Sequence, residues 1–327
     1  MTRTTLAAGA ALAASALLLA GCAGPAPSPS EDDATLSIVA STNVYGDIAA
    51  TIGGDAVTVT SIIDSAAADP HSYEASARDQ LAISEADLII VNGGGYDPFM
   101  ETLIDASGTT AIVITAVEVA GLVEGDDHDH SEGDEPADDD HAEGDDHAGH
   151  DHLEGVNEHV WYDPHTIGEL AHELAHELAE LAPDSAADFE ANAEEFESGI
   201  AGLEATADEL RAAHEGDGIA MTEPVPAYLL EAAGFVNLTP EAFTEAIEEG
   251  ADVPPVALQQ TLELIDSGQV VLLAYNSQTA SPETERVREA AEAAGIPVVD
   301  FTETLPEGQT YLSWMTANLD AIAAAVA

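Results

Sequence analysis

Histidines and carboxylates are concentrated in residues 124–155, which hold six histidines and fifteen acidic residues. Imidazole nitrogens and carboxylate oxygens are ligands that divalent transition metals accept. A stretch this polar cannot bury enough apolar surface to fold by itself, so we predict a disordered insertion with low-affinity metal capture. A solvated charged loop without metal is the alternative. The histidines are His128, His130, His141, His147, His150 and His152.

Two further histidines lie in short segments that contain proline. His71 comes after a predicted strand, and Pro70 fixes the backbone just ahead of it. His159 precedes Asp163 and Pro164, a helix N-cap followed by proline, so we expect it at a strand-to-helix junction. One such histidine is more often structural than a ligand. Two of them flanking a histidine-rich insertion favour metal binding.

Residues 172–176 read HELAH, a formal match to the HExxH signature of zinc peptidases. In that chemistry both histidines hold zinc and the glutamate activates water, roles that would fall to His172, His176 and Glu173. Both histidines lie nearly opposite the predicted buried face of the helix and are expected in solvent. An exposed i, i+4 metal pair is favoured over catalysis. The predicted buried face comprises Ile167, Leu170, Leu174, Leu178 and Leu181.

The N-terminus predicts export and anchoring. Arg3 and the short apolar stretch at residues 6–20 are typical of a signal peptide over residues 1–21. Residues 19–22 read LAGC, a lipobox in which Cys22 would be lipidated after cleavage. Residues 22–34 then form a flexible tether outside the cytoplasmic membrane. Because Cys22 is the single cysteine, any metal ligands must be His, Asp or Glu.

The charge balance is strongly acidic, with 64 acidic residues, 5 Lys plus Arg residues and a net charge of −59. Nucleic acid is excluded as a partner, because its phosphates need a basic face. A negative surface raises the local concentration of cations. Acidity of the whole proteome would give the same composition without a functional meaning.

Short aliphatic runs alternate with helical stretches, which predicts an α/β fold with parallel sheets. Ser76 and Asp79 predict a helix start by a capping box. Residues 183–214 carry one apolar stripe along a long helix, which serves either as a strut between two lobes or as a coiled-coil dimer segment. The predicted strands are 36–40, 57–63, 88–91, 111–115, 218–221, 235–238, 270–274 and 297–300.

Four segments resemble the solute-binding lipoproteins of zinc and manganese ABC importers. They are residues 69–74 (DPHSYE), 159–164 (HVWYDP), 222–229 (TEPVPAYL) and 311–318 (YLSWMTAN), and the resemblance runs from about residue 36 to the C-terminus. It implies two βα lobes joined by a rigid long helix, with one metal ion held in the interlobe cleft by four side chains. The implied lobes are residues 35–182 and 215–327, joined by the helix at 183–214.

The resemblance also implies the ligands. His71 and His159 match the first two, and Glu223 falls at the third, where many zinc-binding members carry histidine and some manganese-binding members carry glutamate. Glu303 matches the fourth, although the family usually has aspartate, and Asp300 is the alternative.

Two other side chains are expected to support the site. Asn276 is a cleft-lining residue where other members often have glutamate, and Asp163 is a helix cap or a partner of a ligand rather than a ligand.

Two imidazoles and two carboxylates suit a divalent ion, and the choice between Zn²⁺ and Mn²⁺ stays open. The sequence therefore predicts a non-enzymatic, membrane-tethered receptor that captures one of these ions and hands it to an ABC permease. The alternatives are a secreted zinc metallopeptidase using the HELAH segment and a surface metal buffer or adhesin acting through residues 124–155.

Overall fold

The computed structural model describes residues 35–65, 70–123 and 156–327. Within this part of the chain, residues Thr35–Ala327 form one compact unit that contains two parallel sheets. The strands of the first sheet are β1 (Leu36–Thr42), β2 (Val57–Ile63), β3 (Leu88–Val91) and β4 (Ile112–Thr115). Those of the second are β5 (Gly218–Met221), β6 (Val236–Asn237), β7 (Val270–Asn276) and β8 (Val298–Phe301).

Helices surround both sheets. Those that accompany the first sheet are α1 (Asn43–Gly53), α2 (Ala77–Ser84), α3 (Pro98–Ser107), α4 (Ala116–Val119) and α5 (Pro164–Leu181). The long helix α6 (Ala186–His214) follows. Those of the second sheet are α7 (Ala227–Ala232), α8 (Glu241–Glu248), α9 (Pro255–Asp266), α10 (Pro282–Ala294) and α11 (Tyr311–Ala325).

The two sheets have the same topology. The strand order is β2-β1-β3-β4 in the first and β6-β5-β7-β8 in the second, and the pairs are parallel. The predicted α/β fold is confirmed, and within the described residues each predicted strand is present with ends shifted by at most two positions. Since parallel strands end at the same edge of their sheet, the chain segments after β5, β7 and β8 leave one edge of the second sheet, and the segment after β2 leaves the corresponding edge of the first sheet.

The long helix begins at Ala186, after a 3₁₀ turn at Pro183–Ser185 that the sequence had assigned to the helix. It packs against α1, α5, α7 and α11 of the same chain. Its apolar stripe is therefore covered intramolecularly, which disagrees with the coiled-coil alternative. The buried stripe consists of Phe189, Ala193, Phe196, Ile200, Leu203, Ala207 and Leu210.

Helix α5 buries the predicted face at Ile167, Leu170, Leu174 and Leu178. Leu181 was wrongly included, because it is the last residue of the helix and is exposed. The capping box of α2 is confirmed, with Ser76 and Asp79 bonding each other's backbone N–H groups.

Hydrogen bonds join α1 to the chain beyond β8. The Asn43 side chain donates to the Leu305 carbonyl and accepts from its N–H, each at 2.9 Å. Asp47 accepts a 2.7 Å bond from the Tyr311 N–H. These bonds fix the first turns of α1, which directly follows β1, against the loop after β8 and the start of α11. None of the helices in the described ranges has the length and apolar character needed to cross a bilayer.

Candidate metal centre

His71 lies in a 3₁₀ turn, Pro70–Ser72, on the chain that leaves β2. Pro70 is buried and His71 is partly exposed, while Asp69 of the same motif lies outside the described residues. The ring of Tyr96 meets His71 at 86°, with 5.0 Å between ring centroids. An aromatic wall therefore limits the directions in which this imidazole can turn.

His159 is buried, with 1% of its surface exposed. Its ring Nδ1 lies 2.7 Å from Oδ1 of Asn157, which also accepts the His159 backbone N–H at 3.2 Å. When Nδ1 donates its proton to this amide oxygen, Nε2 keeps its lone pair for a metal. The expected strand-to-helix junction is wrong in one respect: residues 156–158 form no strand, and a 3₁₀ turn at Val160–Tyr162 leads into α5.

Aromatic rings enclose the two histidines, whose own centroids are 6.4 Å apart. Tyr96 lies 5.7 Å from the His159 ring, and Trp161 lies 5.1 Å from it, both edge-on. These rings limit water access, which strengthens electrostatic interactions among the charged groups beside them.

Glu303 follows β8 and is 4% exposed. Its backbone N–H donates to Oε1 of Gln278 at 2.6 Å, which fixes the chain that carries the carboxylate. Asp300, the alternative, lies within β8 with its side chain 52% exposed and 3.4 Å from Nη1 of Arg288. The structure therefore directs Glu303 inward and Asp300 to the surface.

His71, His159 and Glu303 each offer one ligand atom, and these three atoms lie within 4.8 Å of one another. We call these residues the first ligand group. It combines the loop after β2, the turn before α5 and the loop after β8. Two imidazoles and a carboxylate at this spacing have the composition and the proximity needed to hold one divalent cation.

Glu223 follows β5 and is 3% exposed. It lies beside the first ligand group but is not among the residues whose ligand atoms lie within 4.8 Å of one another. Asn276, the last residue of β7, connects the two carboxylates. Its Nδ2 donates to Oε2 of Glu223 and, at 2.7 Å, to Oε1 of Glu303. Thr279 adds a 2.6 Å bond to Glu223. These donors hold the two carboxylates next to each other.

Asp163 caps α5, accepting bonds from the His165 N–H at 3.2 Å and the Thr166 hydroxyl at 2.8 Å. Its carboxylate is used locally, as the cap interpretation predicts, and it lies outside the first ligand group.

Two glutamates near the site were missed by the sequence interpretation. Glu158, Glu248 and His159 offer ligand atoms that again lie within 4.8 Å of one another, and we call them the second ligand group. Burial, with Glu158, Glu223 and Glu303 as negative neighbours, raises the pKa of Glu248 to about 9. Glu158 could have been suspected from its position next to His159. Glu248 lies among other acidic residues of α8, and in the sequence it looks like part of a solvated helix face.

The HELAH residues lie apart from both ligand groups. His172 and His176 have side chains 80% and 65% exposed, near Glu197 and Glu180 respectively. Glu173 is also exposed. Their expected exposure is confirmed, and among the described residues none of the three belongs to a group of three ligand atoms spaced to hold a metal ion.

Several predicted sites lie outside the described residues: Cys22, the signal peptide and tether at 1–34, and the histidines of 124–155.

A family model described as zinc-uptake complex component A, periplasmic (ZnuA), matches residues 38–325. The manganese-binding lipoprotein MntA of Halalkalibacterium halodurans is 28% identical over 189 residues, 58% of this chain and 54% of that protein. The metal ABC transporter substrate-binding lipoprotein SsaB of Streptococcus sanguinis is 39% identical over 64 residues, 20% of each chain. The chain thus spans about half or less of the length of these curated relatives.

The fold is also similar to solved structures. A crystal structure of ZnuA gives a TM-score of 0.67 at 20% identity, covering 90% of this chain and 100% of that chain. The periplasmic zinc-binding protein TroA from Treponema pallidum gives 0.68 at 19% identity, covering 90% and 99%. At these identities the similarity establishes the fold.

Proposed function

Since this chain belongs to the zinc-uptake complex component A (ZnuA) family, we propose that it captures Zn²⁺ or Mn²⁺ outside the cytoplasm and delivers the ion to an ABC importer. The observation that carries the proposal is the first ligand group, in which His71, His159 and Glu303 converge from distant parts of the chain. Relatives named as a manganese-binding lipoprotein and as a metal ABC transporter substrate-binding lipoprotein support the same function.

In this proposal Glu223 completes the coordination as a fourth ligand, after its carboxylate turns from Asn276 and Thr279 toward the ion. Two neutral imidazoles and two carboxylates leave no formal charge around a dication. Monodentate carboxylates suit tetrahedral zinc, and bidentate ones suit a larger coordination number. The site composition therefore serves either ion.

We further propose the organisation that makes this site a receptor. Residues 35–182 and 215–327 act as lobes joined by a helical linker at 183–214, so that lobe movement opens the site at the permease. The first 21 residues are a removed signal peptide, and Cys22 carries a lipid that tethers the protein to the outer face of the membrane.

Two rival functions have less support. A zinc metallopeptidase would need His172 and His176 to hold zinc in a substrate cleft, yet both are solvent-exposed on α5. We therefore propose binding without enzymatic chemistry. A metal buffer or adhesin acting through residues 124–155 would lose all its metal sites when that segment is deleted. If our proposal is correct, the deletion removes weak sites and leaves one tight site.

Elemental analysis of protein purified without added metal tests the function. We expect about one zinc or manganese per chain after removal of weakly bound ions, and loss of that ion in His71→Ala. His165→Ala is the matched control, because His165 is 71% exposed beside Glu169 on α5. Retention of the tight ion in His71→Ala, or its loss only when residues 124–155 are deleted, contradicts the proposal.

A further inference from the structure

His159 belongs to two ligand groups at once. One group adds His71 and Glu303 to it, and the other adds Glu158 and Glu248, and within each group the ligand atoms lie within 4.8 Å of one another. The mutual spacing in the second ligand group is as suitable for a cation as that in the first.

The second ligand group contains a buried oxygen whose hydrogen-bonding capacity is unused among the described residues. Oε1 of Glu248 is buried and has no hydrogen-bond partner there, and it lies 3.7 Å from Nδ1 of His159. A buried carboxylate oxygen is costly unless a donor, a proton or a metal ion compensates for its lost hydration. The chain has no lysine to supply a flexible cationic donor.

We propose that Glu158, His159 and Glu248 form a second coordination position, through which the dication passes on its way to and from the first ligand group. This inference rests on the proposed capture of Zn²⁺ or Mn²⁺ and adds a route to it. The Glu248 side chain is 14% exposed, whereas Glu158 and His159 are 2% and 1% exposed as residues, so Glu248 is the outermost member.

The imidazole of His159 serves one position at a time. A neutral ring has one protonated nitrogen and one lone pair. With Nδ1–H donated to Asn157, Nε2 is available to the first ligand group. For the second position Nδ1 must bind the ion instead, leaving Asn157, and the proton moves to Nε2 by exchange with water. The stoichiometry therefore stays at one tightly held ion.

A relay position has a kinetic signature that a change in electrostatics does not have. Removing an intermediate position raises the barrier between the free and the bound ion without changing either end state, so loading and release slow by the same factor and Kd stays unchanged. Removing only a negative charge slows arrival and speeds departure, so Kd rises. Loading of the full chain with one equivalent of Zn²⁺, and its release to EDTA, are measured by stopped flow.

The variants are Glu158→Gln, Glu248→Gln and Glu248→Asp, with Glu249→Gln as the control for charge on the exposed residue after α8. We expect both Gln variants and the shortened Glu248→Asp to slow both rates, and Glu249→Gln to match wild type. Unchanged rates in Glu248→Gln, or a raised Kd with faster release, overturn the relay. Wild type without any tight Zn²⁺ or Mn²⁺ site would instead overturn the proposed function.

Anomalous diffraction locates the ion directly. In His71→Ala crystals soaked with Zn²⁺, the first ligand group lacks one donor, so we expect the ion beside Glu158 and Glu248. The double variant His71→Ala/Glu248→Gln should lose it. An ion absent from this position in correctly folded His71→Ala, or one that remains in the double variant, refutes the assignment.

Discussion

The side-chain nitrogen of Asn276 lies 2.7 Å from Oε1 of Glu303 and also donates to Glu223. One amide at the end of β7 thereby joins the carboxylates that follow β5 and β8. Because the carboxylates are buried, their mutual repulsion is weakly screened, and this shared donor offsets part of it. Asn276 thus positions both carboxylates.

Asn276→Ala should therefore weaken metal binding, by about 10- to 100-fold, as is common when a partner that orients a metal ligand is removed. Isothermal titration with a competing chelator measures the change. Asn192→Ala is the matched control, because Asn192 donates to the Ile52 carbonyl at 2.9 Å and supports helix packing instead of the site. Equal affinity in Asn276→Ala and wild type would show that the bridge does not position ligands.

A pair of substitutions decides whether Glu303 or Asp300 is a metal ligand. Glu303→Ala removes a member of the first ligand group and should abolish tight binding. Asp300→Ala removes a partly exposed ion pair with Arg288, and such a pair contributes about 0–1 kcal/mol to the stability of the fold. The metal affinity of this variant should stay within about twofold of wild type. Direct measurement of Kd for both ions decides the assignment, and the reverse order of effects would favour Asp300.

The choice between these two carboxylates illustrates what the sequence contained. In β8, Val299 and Phe301 are buried and Asp300 is exposed, as strand alternation requires. A stricter use of that alternation would have placed Asp300 on the surface. The strands and the stripe of α6 were predictable because apolar periodicity is a local property of the chain.

Glu248 was not predictable in the same way. It lies in an acidic helix with Glu241 and Glu245, and nothing in its local pattern separates it from them. Only the packing of α8 near His159 buries one of these carboxylates and leaves the others in water. Long-range packing of this kind leaves no signal in residue spacing, whereas the proline-flanked histidines could be identified from short segments.

Metal affinity should fall with acidification. The imidazoles of His71 and His159 bind a cation only when a nitrogen lone pair is free, so protons compete with the metal for both ligands. Below about pH 6, each protonated imidazole should weaken binding by about tenfold per pH unit. Competition titrations between pH 5 and pH 8 measure this profile, and His165→Ala should reproduce it. Undiminished tight binding at pH 5 would contradict the two-histidine assignment.

Glu248 should make the metal-free protein less stable as the pH rises. Burial, with Glu158, Glu223, Glu303 and Glu249 as negative neighbours, raises its pKa from 4.5 to about 9. A raised pKa in the folded state means that the stabilising contribution is complete below about 4.5 and is lost as the pH rises toward 9. Between these values the slope is at most about 1.4 kcal/mol per pH unit.

Glu248→Gln removes this titration and should flatten the pH dependence of the free energy of unfolding. Urea denaturation in EDTA at pH 5.5, 7 and 8.5 measures it. The nearby His159, whose Nδ1 is 3.7 Å away, is present in both proteins, so its contribution cancels to first order in the difference. Glu245→Gln is the control, because Glu245 is exposed on the same helix and is not among the neighbours that raise the pKa of Glu248. Identical slopes in Glu248→Gln and wild type would mean that the buried carboxyl does not retain its proton on folding.

Two glycines of α6 test how closely the long helix packs against α11. A helical glycine is about 0.5–1 kcal/mol less favourable than alanine, so Gly202→Ala, where an added Cβ meets no atom within 4 Å, should stabilise the protein by about that amount. At Gly199 the added Cβ would lie 2.4 Å from Cδ1 of Leu312 in α11, which must then move. Gly199→Ala should lose the helical gain and become neutral or destabilising. Urea unfolding of the two variants compares the same chemical change on the same helix, and equal stabilisation by both would show that α11 does not approach α6 closely at Gly199.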